Sequence, residues 1–116
     1  MIGKNFFSFN TTSRIRFGEG ASTAAYTINE IVECLGSKIM VVTDKSLTGL
    51  RLYEPTISLI KPKVNSLFVF DDIESDPSLF TLIKGITAGK KESVTGVLGF
   101  GGGSSMDVAK LVSLIL

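Results

Sequence analysis

A chain of 116 residues can enclose one hydrophobic core. Its composition, 44% apolar and 20% charged with 12 glycines and three prolines, is that of a globular α/β domain rather than a disordered segment. Twelve basic and 11 acidic residues leave a net charge of +1 with no long same-sign run, which gives no electrostatic case for a nucleic-acid or membrane partner.

Phe6 to Phe9 and Arg14 to Phe17 read as short extended segments joined by the polar turn Asn10-Thr11-Thr12-Ser13, a β-hairpin closed by Gly18-Glu19-Gly20. From Ser22 to Leu35 the apolar residues Ala24, Ala25, Ile28, Ile31, Val32 and Leu35 recur at three and four, which predicts a helix laid on a sheet and stopped by Gly36. Cys34 falls within this pattern. As the only cysteine it excludes an internal disulfide and a Cys-based metal cluster, and it is expected as a buried, inert thiol. Ile39-Met40-Val41-Val42 within Lys38 to Thr43 suits a strand covered on both faces, with Asp44 at its carboxyl end.

Lys45 to Lys61 predicts one or two helices broken near Pro55, and Pro62 ends them. Leu67 to Phe70 is the next buried strand, followed by Asp71-Asp72. Asp76-Pro77-Ser78 is a helix-start signal, Leu79, Leu82, Ile83 and Ile86 give the helix its face, and Gly89 is expected to stop it. Val94 to Leu98 forms the following strand. The alternation of strand and helix predicts an open parallel sheet with helices on both faces, preceded by the short β-hairpin. Lys110 to Leu116 is an apolar helix without a closing signal, as expected of a piece of a longer protein. No apolar run reaches the roughly 20 residues of a membrane span, and the first residues lack a signal-peptide layout. A cytoplasmic protein is the expectation.

The chemistry concentrates where the last strand meets Gly101-Gly102-Gly103-Ser104-Ser105-Met106-Asp107-Val108-Ala109-Lys110. This is not the standard dinucleotide fingerprint, because Ser104 occupies the third glycine position of G-x-G-x-x-G and the loop follows a late strand. A P-loop fails too, since no Gly-Lys-Ser/Thr follows. Physically, a triple glycine before a helix exposes backbone N–H groups at a positive helix end, which suits a phosphate or pyrophosphate. The alternative is a tight turn that lets the helix pack closely. Ser104 or Ser105 could cap the helix or meet a phosphate oxygen. Asp107, placed in the first turn, could hold local backbone or a sugar hydroxyl, and Lys110 could pair with it at i+3 or lie on the helix surface.

Asp44 stands at the carboxyl edge of the sheet, where open α/β sheets place their ligands. A carboxylate there can accept from both hydroxyls of an adenosine ribose and would repel a 2′-phosphate, so Asp44 predicts NAD rather than NADP. Capping a helix is its alternative role. Asp71 and Asp72 make an incomplete transition-metal site, although Mg²⁺ could use them with water and substrate phosphate, and the chain has no histidine, so Ser–His and Cys–His machinery are excluded within it. No catalytic residue and no metal ligand is assigned.

These motifs resemble the amino-terminal domain of the iron-containing, or group III, alcohol dehydrogenases. The matching features are Arg14-Ile15-Arg16-Phe17-Gly18-Glu19-Gly20, Val41-Val42-Thr43-Asp44-Lys45, Asp76-Pro77-Ser78 and the GGGS-x-x-D-x-A-K run from Gly101 to Lys110, in the family's order and over nearly the whole chain. The resemblance implies a Rossmann-like NAD(P)-binding domain over residues 1–116, followed by a helical domain that carries a divalent metal, iron. It implies that Gly101, Gly102, Gly103 and Ser104 surround the dinucleotide pyrophosphate, that Asp44 faces the adenosine ribose, and that Asp107 and Lys110 lie toward the nicotinamide. The family's metal ligands, an aspartate and histidines, would lie beyond Leu116. Family dimers associate through the amino-terminal edge, which makes Phe6 to Phe9 a partner surface for a homodimer. One departure is Glu92-Ser93-Val94-Thr95-Gly96, where the family often carries an aspartate nearer the loop. The implied function is hydride transfer between a small alcohol or aldehyde and a nicotinamide cofactor, with residues 1–116 inactive alone. The alternative is a stand-alone phosphate- or nucleotide-binding module without catalysis.

Overall fold

The structure, a computed structural model, describes residues 19–50, 53–74 and 77–116. The hairpin expected within residues 6–17 and the side chain of Asp76 lie outside them.

A 3₁₀ turn, Ala21–Thr23, leads into helix α1, Ala25–Leu35. Ile28 is its most buried residue, and Ile31, Val32 and Leu35 pack around the same cluster. Gly36 ends the helix as expected. Its φ of 83° is left-handed, and its N–H returns to the Val32 carbonyl at 3.0 Å. Cys34 is exposed rather than buried. At 3.6 residues per turn it lies about 100° around the helix from Leu35, outside the stripe that meets the sheet.

Three parallel strands follow: β1 (Lys38–Val42), β2 (Ser66–Phe70) and β3 (Gly96–Gly99), in the spatial order β2-β1-β3. Val42 stands opposite Phe70 on one side and Gly99 on the other, so all three carboxyl ends reach the same edge. Ile39, Met40, Val41 and Val42 are all 0% exposed. Full burial of such side chains is worth roughly 1.5–3 kcal/mol each, which makes β1 the centre of the molecule.

The pleat divides these side chains between two cores. Ile39 and Val41, with Leu67, Val69 and Leu98, face α1 and helix α3 (Glu54–Ile60), which contributes Ile57 and Ile60. Met40 and Val42, with Phe68, Phe70 and Val97, face helices α4 (Leu79–Lys91) and α5 (Gly103–Ile115) through Leu82, Ile86, Val108, Ala109 and Val112. A short helix, α2 (Lys45–Leu50), precedes α3. The fold is the expected Rossmann-like α/β arrangement, an open parallel sheet with helices on both faces.

The two helices expected between Lys45 and Lys61 are present, α2 and α3, with the break just before Pro55, which sits in the first turn of α3 where its missing N–H costs nothing. Helix α3 ends at Ile60, ahead of Pro62 in a 3₁₀ turn, Lys61–Lys63. Two other local expectations are corrected. Ser78 caps α4 by accepting from the Thr81 N–H, but Gly89 does not stop it. Gly89 is buried inside the helix, where an added Cβ would lie 2.6 Å from a Leu116 methyl and 3.4 Å from the Met40 sulfur. The helix instead closes at Glu92 and Ser93, the latter left-handed at φ 52°.

β3 also begins two residues later than Val94. Thr95 is held outside the strand, its N–H on the Lys38 carbonyl at 2.7 Å and its hydroxyl donating to the Leu35 carbonyl at 2.7 Å. Gly96 then passes directly against the end of α1. A Cβ there would stand 2.5 Å from the Leu35 Cβ and 2.6 Å from the Leu35 carbonyl oxygen.

The topology fixes where a ligand can enter. From β1 the chain reaches α3 on one face, whereas from β3 it reaches α5 on the other. Two neighbouring strands whose successors diverge leave a crevice at their carboxyl ends.

Candidate functional site

A cleft of about 260 Å³ opens at that edge. Asp44 and Lys45 line it from the end of β1, Ile73 and Glu74 from the end of β2, and Gly102, Gly103 and Ser104 from the end of β3. The strand order brings together residues far apart in the chain.

The glycine wall is built in two steps. Gly101 turns the chain at φ 132°, and a side chain there would collide with Leu47 and approach Asp44 Oδ2 to 3.5 Å. Gly102 is the N-cap of α5 in ordinary extended geometry, φ −81° and ψ −170°. Among the described residues, nothing beyond the adjoining residues and the helix's own backbone lies within 4 Å of the Cβ that Gly102 or Gly103 lacks. Neither backbone strain nor packing among these residues requires glycine at Gly102. The first intrahelical bond comes from the Met106 N–H to the Gly102 carbonyl at 3.1 Å, which leaves the amides of the first turn outside the helix's own ladder at its positive end. This wall has the chemistry of an anion cradle.

The expected serine cap is corrected, because Gly102 occupies that position with no side-chain cap. Ser104 lines the cleft, while Ser105 is fully buried and its hydroxyl donates to Asp44 Oδ2 at 3.4 Å. Asp44 caps helix α2 and also borders the cleft. Its Oδ1 accepts the Leu47 N–H at 3.0 Å, its main-chain carbonyl accepts the Thr48 N–H at 3.1 Å, and the half-buried side chain still borders the cleft. Capping α2 therefore orients the carboxylate rather than removing it from the site.

Residues 12–116 match the family of iron-containing alcohol dehydrogenases. The chain belongs to this family. A choline dehydrogenase of Bacillus subtilis (strain 168) is 30% identical over 111 residues, which are 96% of this chain and 27% of that protein. A crystal structure of an iron-containing alcohol dehydrogenase is similar with a TM-score of 0.76 at 28% identity, covering 95% of this chain and 30% of that one. The structure of sulfoacetaldehyde reductase from Bifidobacterium kashiwanohense in complex with NAD⁺ gives a TM-score of 0.72 at 27% identity, covering 92% of this chain and 27% of that one. The chain thus spans less than a third of each of these relatives.

Of the positions that the family resemblance singles out, Asp44, Gly102, Gly103 and Ser104 meet in the cleft, with Gly101 turning the loop above Asp44. Asp107 and Lys110 are exposed on α5 and are not among the residues lining it. Asp107 is the fifth residue of α5, past the first turn, because the helix starts at Gly103. Sequence reasoning missed Lys45, Ile73 and Glu74. Their available signal was position, since each directly follows a strand or lies a few residues beyond one at the edge Asp44 marks.

Other acids are engaged locally. Asp71 accepts from the Thr48 hydroxyl at 3.1 Å, and the Lys84 ammonium beside Asp72 holds that carboxyl below its usual range. Glu74 is likewise held low, first by the Thr81 hydroxyl and then by the Ser78 N–H. No group of three metal-ligating side chains occurs among the described residues, and no helix among them is long and apolar enough to cross a membrane.

Proposed function

We propose that this chain is the dinucleotide-binding part of an NAD-dependent alcohol dehydrogenase that transfers hydride between a small alcohol or aldehyde and the nicotinamide. The observation that carries the reading is the open pair Gly102 and Gly103, glycines that line a cleft at a helix N-terminus with no side chain of the described residues against them. A pyrophosphate would rest there on the first turn of α5, with Ser104 beside it. Asp44, held by the Leu47 N–H and the Ser105 hydroxyl, would accept from the adenosine ribose and repel a 2′-phosphate. The relative solved with NAD⁺ supports the same cofactor class.

When bound, the nicotinamide supplies the hydride donor or acceptor. This chain's residues bind and orient it. Lys110 and Asp107 belong, in this reading, to the wall that the nicotinamide side of the cleft acquires in the whole protein. The described residues offer no cluster to hold iron, so the metal's ligands would come from the part of the relatives that this chain does not span. The reading also places the protein in the cytoplasm, with a second copy of the chain as partner.

Calorimetric titration with NADH and NADPH tests the proposal. NADH should bind more tightly, and Gly102→Asn should weaken it about 100-fold by filling the cradle. A folded chain that binds no NADH, or binds it equally well with Asn at this position, would overturn the assignment.

A further inference from the structure

Two acids line the cleft, and their oxygens are committed differently. Asp44 engages both oxygens, Oδ1 with the Leu47 N–H at 3.0 Å and Oδ2 with the Ser105 hydroxyl at 3.4 Å. At Glu74 every donor converges on one oxygen. Oε1 accepts the Ser78 N–H at 2.9 Å, the Ser78 hydroxyl at 3.3 Å and the Thr81 hydroxyl. Oε2 has no hydrogen-bond donor among the described residues.

Three donors from the start of α4 thus fix the carboxylate in place while leaving its second oxygen available. The anchor also favours the ionised form, because each donor stabilises negative charge. Glu74 stands across the cleft from the glycine wall, on the strand end opposite to β3. Among the described cleft-lining residues Lys45 is the single cation, and its exposed side chain is set against two anchored carboxylates. This side of the cleft is therefore net negative, while the positive helix end supplies the opposite wall.

We propose that Glu74 is a specificity-determining residue: its free oxygen accepts a ribose hydroxyl of the cofactor, and its charge rejects a ribose bearing a phosphate. It shares with Asp44 the discrimination of NADH from NADPH. The inference rests on the proposed cofactor reading and adds a residue to it from another strand end.

Glu74→Gln removes the charge and keeps an oxygen for Ser78 and Thr81. Wild-type, Glu74→Gln and Asp44→Asn chains are titrated with NADH and NADPH at fixed salt, with circular dichroism reporting the fold. Glu74→Gln should shift the preference toward NADPH by about tenfold, mostly through tighter NADPH binding. The shift should shrink at high salt, and Glu74→Asp, which keeps the charge, should preserve the wild-type preference. A folded Glu74→Gln chain that binds both nucleotides with the wild-type ratio would overturn the inference and leave the cofactor reading intact. A wild-type chain that binds neither would overturn both.

Discussion

Gly96 and Gly102 stand at opposite ends of the short strand β3 and differ in what surrounds them. At Gly96 the chain itself occupies the space a side chain would need, with the Leu35 Cβ and carbonyl oxygen within 2.6 Å of the absent Cβ. At Gly102 nothing among the described residues beyond its chain neighbours lies within 4 Å of the absent Cβ, and the backbone geometry suits any residue. The first glycine lets a helix end approach a strand. The second meets nothing among the described residues and leaves the cleft wall bare. The contrast separates a packing edge, where β3 begins, from the cleft edge, where β3 ends.

The largest effect should come from Gly96→Ala. The new methyl meets backbone at Leu35, which cannot rotate away, so α1 or β3 must shift. Overpacking of this kind costs about 3 kcal/mol, read as a lower urea midpoint. A midpoint equal to wild type would remove the packing half of the comparison. Gly102→Asn should do the reverse. Asparagine is a favoured N-cap, so stability should hold or rise by about 0.5 kcal/mol while NADH affinity falls. Loss of stability there would show that the chain, and not a ligand, requires the glycine. Gly99→Ala sharpens the boundary between the edges. Its Cβ would lie 2.9 Å from the Ala109 Cβ and 3.2 Å from the Met106 sulfur. Met106 is flexible but Ala109 is fixed on α5, so a smaller loss of about 1–2 kcal/mol is expected, with α5 displaced and NADH binding modestly weakened. Measured stability and affinity that fail to fall together would disconnect β3–α5 packing from the cradle.

The strands and faces were legible because burial writes itself into the sequence. Ile39 to Val42 and Leu67 to Phe70 are apolar runs, and the structure buries β1 on both sides but leaves β2, expected as a buried strand, only half-buried at the end of the three-strand order. The three-and-four spacing of Ile28, Ile31, Val32 and Leu35 likewise marked the face of α1. What escaped was set by tertiary approach. Gly89 reads as a helix stop, yet it lies buried inside α4, facing the Leu116 side chain and the Met40 sulfur. Gly96 and Gly99 weaken a strand pattern, yet close contacts with α1 and α5 put them in β3. In the cleft, Asp44 and the glycine run announced themselves through position and composition. Glu74 did not, since its role depends on β2 lying beside β1 and on Ser78 and Thr81 turning one of its oxygens into an anchor.

Acid provides the mildest way to separate the two edges. The packing edge is held by groups that do not titrate, the Thr95 hydroxyl and the Leu35 and Lys38 carbonyls. The cleft edge carries Glu74 and, beside it, Asp72, whose carboxyls are held below their ordinary values of 4.5 and 3.8 by the Thr81 hydroxyl and by Lys84 respectively. A group with a lowered folded-state pKa binds protons more readily in the unfolded chain. Its stabilisation is complete above the ordinary value and is lost as pH falls through the lower, folded one. Urea midpoints should therefore decline on acidification from pH 7 to about pH 3, with most of the change below about pH 4.5. Both carboxylates are exposed, so the decline is small. Glu74→Gln should flatten part of it, whereas Gly96→Ala should lower the whole curve without altering its shape. An equally steep decline in Glu74→Gln would mean that its anchor at Ser78 and Thr81 contributes nothing to the ionised state, and the fixed charge assigned to the cleft would lose its physical basis.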